Sequence, residues 1–222
     1  MGKRKKKWLS ALLAVTMAFG LGGCGGLEKE ASDYVQANLD LVFQGETQGA
    51  KQFISASDAD LELMYKNGIQ AFVEDYLMGG VETETDFTGT YGKLVEQIFS
   101  VLKYQVGEAE KTDKDTYELT VTYRPVNVFT TFVPELREEA KKLEKDAAEG
   151  KYSGTDEEIQ ARMLLDYMNH SYALLERAYL NMEYGEQEEF TFTVTAKKKK
   201  DISLEKDEIN TFIERILELD KL

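Results

Sequence analysis

Three observations predict an α+β fold in which helices pack on a small antiparallel sheet. Apolar residues recur at three- and four-residue spacing over most of the 222-residue chain. Strict apolar/polar alternation is confined to a few segments, Tyr104–Val106, Tyr117–Tyr123 and Phe190–Ala196. These segments do not alternate one for one with helices, as a parallel βαβ arrangement would require.

The first helix carries Ala31, Tyr34, Val35, Leu39, Val42 and Phe43 on one face and stops at Gly45, a residue suited to a helix C-terminus. Ser57 and Asp60 form a capping box before a second helix bearing Leu61, Tyr65, Ile69, Phe72 and Tyr76. Asn67-Gly68 is a candidate break within it, and Gly79-Gly80 is its end. Leu94, Val95, Ile98, Val101 and Leu102 mark a third. The period then switches to two: Tyr104 and Val106 begin a short strand, Thr112–Asp115 makes a turn, and Tyr117, Leu119, Val121 and Tyr123 alternate with polar residues. A third strand of the same sheet follows far downstream, with Phe190, Phe192, Val194 and Ala196 inward and threonines outward.

Between strands two and three, Phe129, Val133, Leu136, Ala140, Leu143 and Ala147 form a heptad seam. Gly150 and Gly154 interrupt it, and Thr155 with Glu158 offers a second capping box. Ala161, Leu165, Met168, Tyr172, Leu175, Tyr179 and Met182 then repeat at four and three. The expectation is an antiparallel helical hairpin inserted over residues 128–186. A last amphipathic helix holds Ile209, Phe212, Ile213, Ile216 and Leu217 and needs an apolar surface to dock on, most simply the sheet.

The amino terminus carries an address. Lys3 to Lys7 form an unbroken basic run, Trp8 to Phe19 are mainly apolar, and Leu21-Gly22-Gly23 precede Cys24, the sole cysteine. This arrangement resembles bacterial lipoprotein signal peptides, which implies thioether lipidation of Cys24 and removal of residues 1–23. The apolar stretch is also shorter than the ~20 residues that span a bilayer. The resulting expectations are a lipidated tether over 24–30, one α+β domain over 31–222, and residence on the outer face of the cell membrane. With no second cysteine there is no disulfide, so stability rests on the apolar core.

All 41 acidic residues and 22 of the 27 basic ones lie beyond position 23, so processing takes the formal charge from −14 to −19. Such a field disfavours nucleic acid and anionic polymers as partners. The pattern of the helix Tyr34–Asp40, the strand Tyr117–Tyr123 and the closing Phe190–Thr195 with its C-terminal helix resembles the small cystatin-like or NTF2-like lipoproteins of Gram-positive bacteria. The anchor, combined with an absence of reaction motifs, points to a non-enzymatic extracytoplasmic binding or scaffolding module. The alternative, which the NTF2-like resemblance implies, is a small-molecule or weakly catalytic cavity enclosed by a curved sheet and helix.

Reaction chemistry has little to stand on. There is no Gly-x-Ser-x-Gly, no phosphate-cradling glycine loop, and nothing that calls for a cofactor. His170, four residues after Asp166, could form an acid/base pair with it or the two could supply metal ligands, although such a pair is more often a solvent-facing helix contact. Asp58, Asp60 and Glu62 alternate as in a calcium loop, but Leu63 stands where the glycine belongs. Glu82, Glu84 and Asp86 are no better arranged, so no metal is expected. Two surfaces are candidates for contact. Tyr167, Tyr179, Tyr184 and Met163 form an aromatic and sulfur-rich partner surface for a membrane or surface protein, and Lys197, Lys198, Lys199 and Lys200 form a basic run for anionic lipid.

Overall fold

The computed structural model describes residues 26–78, 87–198 and 201–222, without the side chain of Lys206. The lipobox with Cys24, the Gly79-Gly80 stop, the Glu82, Glu84 and Asp86 carboxylates, and Lys199 and Lys200 lie outside the described residues. The chain is α+β. Its order is α1 (Leu27–Gln44), α2 (Thr47–Ala50), α3 (Asp58–Val73) with a π-helical turn Glu74–Met78, α4 (Phe87–Ser100), β1 (Lys103–Val106), β2 (Glu110–Asp113), β3 (Thr116–Arg124), α5 (Val128–Ala148), α6 (Asp156–Leu180), β4 (Glu188–Lys198), β5 (Asp201–Leu204) and α7 (Lys206–Ile216). Two compact units result: the described residues up to Arg124 with Gln187–Ile213, and Pro125–Glu186 with Glu214–Leu222.

In the first unit, α1 takes in residues 27–30, which the sequence assigns to the tether, and ends where Gly45 adopts φ 67°. There its N–H bonds back to Leu41 O, satisfying a terminal carbonyl. Ser57 and Asp60 cap α3 reciprocally. The helix then runs through Asn67-Gly68 to Val73, so the expected break does not occur. A glycine inside a helix costs only ~1 kcal/mol. Burial of Ile69 and Phe72 just beyond it offsets that cost.

Among the described residues the sheet has five antiparallel strands, against the three that the alternation predicts. Two short strands account for the difference. β2 lies in the stretch expected to lead into the turn, and the turn itself narrows to Lys114-Asp115. β5 pairs with β4 from Val194↔Leu204 to Lys198↔Asp201. Lys197 and Lys198 close β4, and Lys198 pairs with Asp201 of β5. β3 and β4 pair over Thr116↔Thr195 to Tyr123↔Glu188, turning Tyr117, Leu119, Val121, Tyr123, Phe192 and Val194 inward at 2% exposure or less. Phe212 of α7 closes this layer. Its ring lies 5.2 to 6.2 Å from those of Tyr123, Phe192, Phe190 and Phe43.

In the second unit, α5 and α6 pack on each other and are tied by Arg177 to Glu135 (2.6 Å) and His170 to Glu139 (2.7 Å). Thr155 and Glu158 form the expected capping box. At the base, Val126 bridges Tyr184, Glu183 N–H donates to Asn127 Oδ1, and Val126 N–H donates to Ile216 O. The seam of α6 differs from the expected one. Met168, Ser171, Leu175 and Ala178 are its buried residues, whereas Ala161 and Leu165 are exposed and Tyr172 and Tyr179 only half-buried. Both sets satisfy four–three spacing. The pattern of large apolar residues therefore selects the wrong one, because the buried side takes small Ser171 and Ala178 while the tyrosines stay at its margin.

Candidate functional site

The expected partner surface does not gather into one patch. Met163 and Tyr167 are four residues apart and share a side of α6. Tyr179 lies twelve residues beyond Tyr167, about 120° round the helix at 100° per residue, and Tyr184 lies past the helix end in the bridge with Val126. All four are half-buried, and burial pushes the Tyr167 phenol upward. The exposed large apolar residues of α6 are instead Leu165 at 45% and Leu180 at 73%.

Asp166 and His170 do not pair with each other. Asp166 accepts from the Tyr152 hydroxyl at 2.8 Å, which pushes that phenol up to about 12, and His170 Nδ1 faces Glu139 Oε1 across the helix pair. Burial pushes Glu139 upward, but the hydrogen bonds from His170 and Lys142 outweigh it and hold the carboxyl below its ordinary value. The arrangement clamps α5 to α6. Asp60 is engaged with Ser57, and Asp58 with Lys51 and Thr47, in place of the hard-ion cradle considered from the sequence.

Two features escape a reading of local pattern. The first is a polar cluster in which Tyr104 donates to Asp40 Oδ1 at 2.7 Å, Gln36 donates to the same oxygen, and Gln44 Nε2 donates to the Tyr104 hydroxyl at 3.2 Å. Burial and then the Asp40 carboxylate push the Tyr104 phenol strongly upward, so it remains a neutral donor. The second is an open cleft of about 600 Å³ where Glu28, Lys29, Ser32 and Asp33 of α1 face the Val106–Ala109 segment. Ser32 Oγ accepts the Ala109 N–H there. The space between sheet and helices is filled by the rings of Phe43, Tyr123, Phe192 and Phe212, each 2% exposed or less, where the cavity alternative places a ligand.

Glu208 of α7 reaches the sheet. Its carboxylate accepts the Thr193 N–H at 3.0 and 3.2 Å. Burial raises this carboxyl above its ordinary value, the Thr193 contacts oppose the shift, and Glu205 and Glu118 add to it. A raised carboxyl favours folding below the unfolded-state pKa, and that contribution is lost as pH rises through the folded value. Glu208→Gln keeps an acceptor for Thr193 and removes the charge. It is expected to raise the melting temperature at pH 7, with the gain shrinking as pH falls through the raised folded value and gone below the ordinary carboxyl value of 4.5. Thermal melts from pH 3.5 to 8 check this, and a gain that is constant with pH rules out the charge explanation.

The structure thus defines an α+β protein of helices on an antiparallel sheet, together with a pair of packed helices. No family model and no curated protein matches the sequence. Among solved structures, the crystal structure of the "putative lipoprotein" ycdA from Bacillus subtilis is similar with a TM-score of 0.53 at 12% identity. The likeness covers 85% of this chain and 56% of that one, so the present chain corresponds to little more than half of the neighbour's length. At that identity the likeness is one of fold.

Proposed function

We propose that the protein is a lipid-anchored, extracytoplasmic binding or scaffolding lipoprotein without enzymatic activity, held on the outer face of the cell membrane through Cys24. The observation that carries this reading is the basic, apolar and Leu21-Gly22-Gly23-Cys24 sequence, followed almost at once by folded chain at Leu27. Three residues reach at most about 10 Å, so the domain rides close to the bilayer. Two or more acyl chains hold a protein stably where one holds it marginally.

The wider reading is a cystatin-like/NTF2-like module of the Gram-positive kind. It is one α+β domain over 31–222 that carries residues 128–186 as an inserted helical hairpin. Direct pairing of β3 with β4 across that stretch supports the insertion. Met163, Tyr167 and Tyr179 along α6, with Tyr184 past its end, serve a membrane or surface protein. Lys197 to Lys200 meet anionic headgroups beside the anchor, supported by the exposure of Lys197 and Lys198.

Cys24→Ala is expected to abolish incorporation of labelled palmitate and to move the protein from the membrane to the soluble extracytoplasmic fraction. Retention of all the variant on washed membranes would overturn the anchor. Crosslinking and affinity capture from the producing cells, with a variant lacking 128–186 as control, tests the hairpin. Recovery of the same partner by both forms removes the hairpin from the working surface.

A further inference from the structure

β4 is longer than the strand that covers it. Gly107 N–H donates to Thr120 O at 2.9 Å, so the even-numbered residues of β3 turn their backbone polar groups toward β1 and β2. The odd-numbered ones turn toward β4, where Leu119 meets Phe192 and Val121 meets Phe190. The odd-numbered residues of β4 consequently point away from β3. Thr195 faces Ser203 of β5, which reaches no further than Leu204 opposite Val194. Thr193 gives its N–H to Glu208. Beyond it, the N–H and C=O groups of Thr191 and Glu189, and the C=O of Thr193, have no hydrogen-bond partner among the described residues. Glu189 and Thr191 are exposed to solvent.

Such an edge is a template for one more strand. Its chemistry is two-sided. Outward stand Glu189, Thr191 and Thr193, with Glu118 opposite Thr193. Inward stands half-buried Phe190, whose ring meets Phe192 at 4.7 Å and Phe212 at 5.5 Å. Glu118, Glu189, Glu205 and Glu208 border the edge, and none of them is in an ion pair among the described residues. A second copy of the chain would bring the same carboxylates to both sides of the junction. A cationic strand complements them.

We propose that the open edge of β4 over Glu189–Thr193 docks an extended basic segment of a partner protein. The segment adds to the sheet antiparallel to β4 and in line with β5. Its main chain bonds Thr191 and Glu189, its lysines or arginines face the glutamates, and an alternate apolar side chain covers Phe190. This deepens the binding-module reading, but it requires neither Cys24 nor the α5–α6 pair.

The test is amide hydrogen exchange on the lipidated chain in detergent, with a blocked heptapeptide of alternating lysine and valine as probe. Exchange at the Glu189 and Thr191 amides is expected to slow about tenfold at saturation, equivalent to ~1.4 kcal/mol. The effect should be lost when the peptide is N-methylated at alternate residues, in either register, and when glutamate replaces its lysines. Thr191→Pro removes an outward N–H while sparing the bonds to β3, so it should fold and bind about tenfold more weakly. Glu189→Lys provides the same test through charge should the proline variant fail to fold. Unchanged exchange, or equal protection by the N-methylated peptide, overturns the proposal. Self-association without peptide in sedimentation overturns it in favour of a second copy. Either failure leaves the anchor reading untouched, because that reading is measured by fractionation.

Discussion

Phe212→Ala is expected to destabilise the protein by about 3–5 kcal/mol, the range for emptying a large aromatic site in a packed core. Phe212 is fully buried, and four other rings pack around it. Phe43, Tyr123 and Phe192 sit on a helix and two paired strands, so they are held by their own backbones and collapse only partly into the space left behind. Aromatic pairs add roughly 0.5–1.5 kcal/mol each beyond area burial. Against a total stability on the order of 5–15 kcal/mol, the loss is large. Trp8, the lone tryptophan, lies in the segment expected to be removed, so urea unfolding of the mature chain is best followed by circular dichroism. A cost under about 1 kcal/mol would show that this ring cluster does not hold α7 to the sheet.

Gly107→Ala is the second large effect, and it acts through contact. A Cβ at this position would lie 2.7 Å from the carbonyl oxygen of Thr120, the same oxygen that accepts the Gly107 N–H. Thr120 belongs to β3, which is paired on both sides, so its backbone cannot retreat without disturbing β4. Relief must come from the β1–β2 segment moving out, at about 1–3 kcal/mol and with the loss of that hydrogen bond. Faster amide exchange at position 107 and at Ala109 and a lower unfolding midpoint are the readouts. Gly150→Ala is the comparison, because nothing lies within 4 Å of a Cβ there and its φ of 75° is the only obstacle. If both variants lose the same stability, close approach to Thr120 is not what requires a glycine at 107.

What could be read from the sequence follows the range of each interaction. Ser57 with Asp60 and Thr155 with Glu158 bond across three residues, so both helix starts are visible as short strings. The alternation of β3 and β4 is visible because one face of each is buried against a core. β2 is not legible in the sequence because all four of its residues are exposed and carry no apolar period. β5 did carry a signal, in buried Ile202 and Leu204, but two apolar positions after a lysine run are too few to establish a strand. The α6 seam was misplaced because spacing alone cannot separate two interleaved sets that both repeat at four and three.

The acidic charge, the α+β class, the capping-box starts of α3 and α6 and the Leu21-Gly22-Gly23-Cys24 string on which the proposed anchor rests are legible in the chain alone. Each of these is a property of composition or of neighbours a few residues apart. Assembly of the whole chain sets that Tyr104 meets Asp40 across 64 residues, that His170 faces Glu139 rather than Asp166, and that, among the described residues, β4 runs past the end of β5 from Thr193 to Glu189. Those features depend on which segments meet and in what register. Register is fixed by burying one face of every strand at once, and so by the whole core rather than by any local stretch of chain.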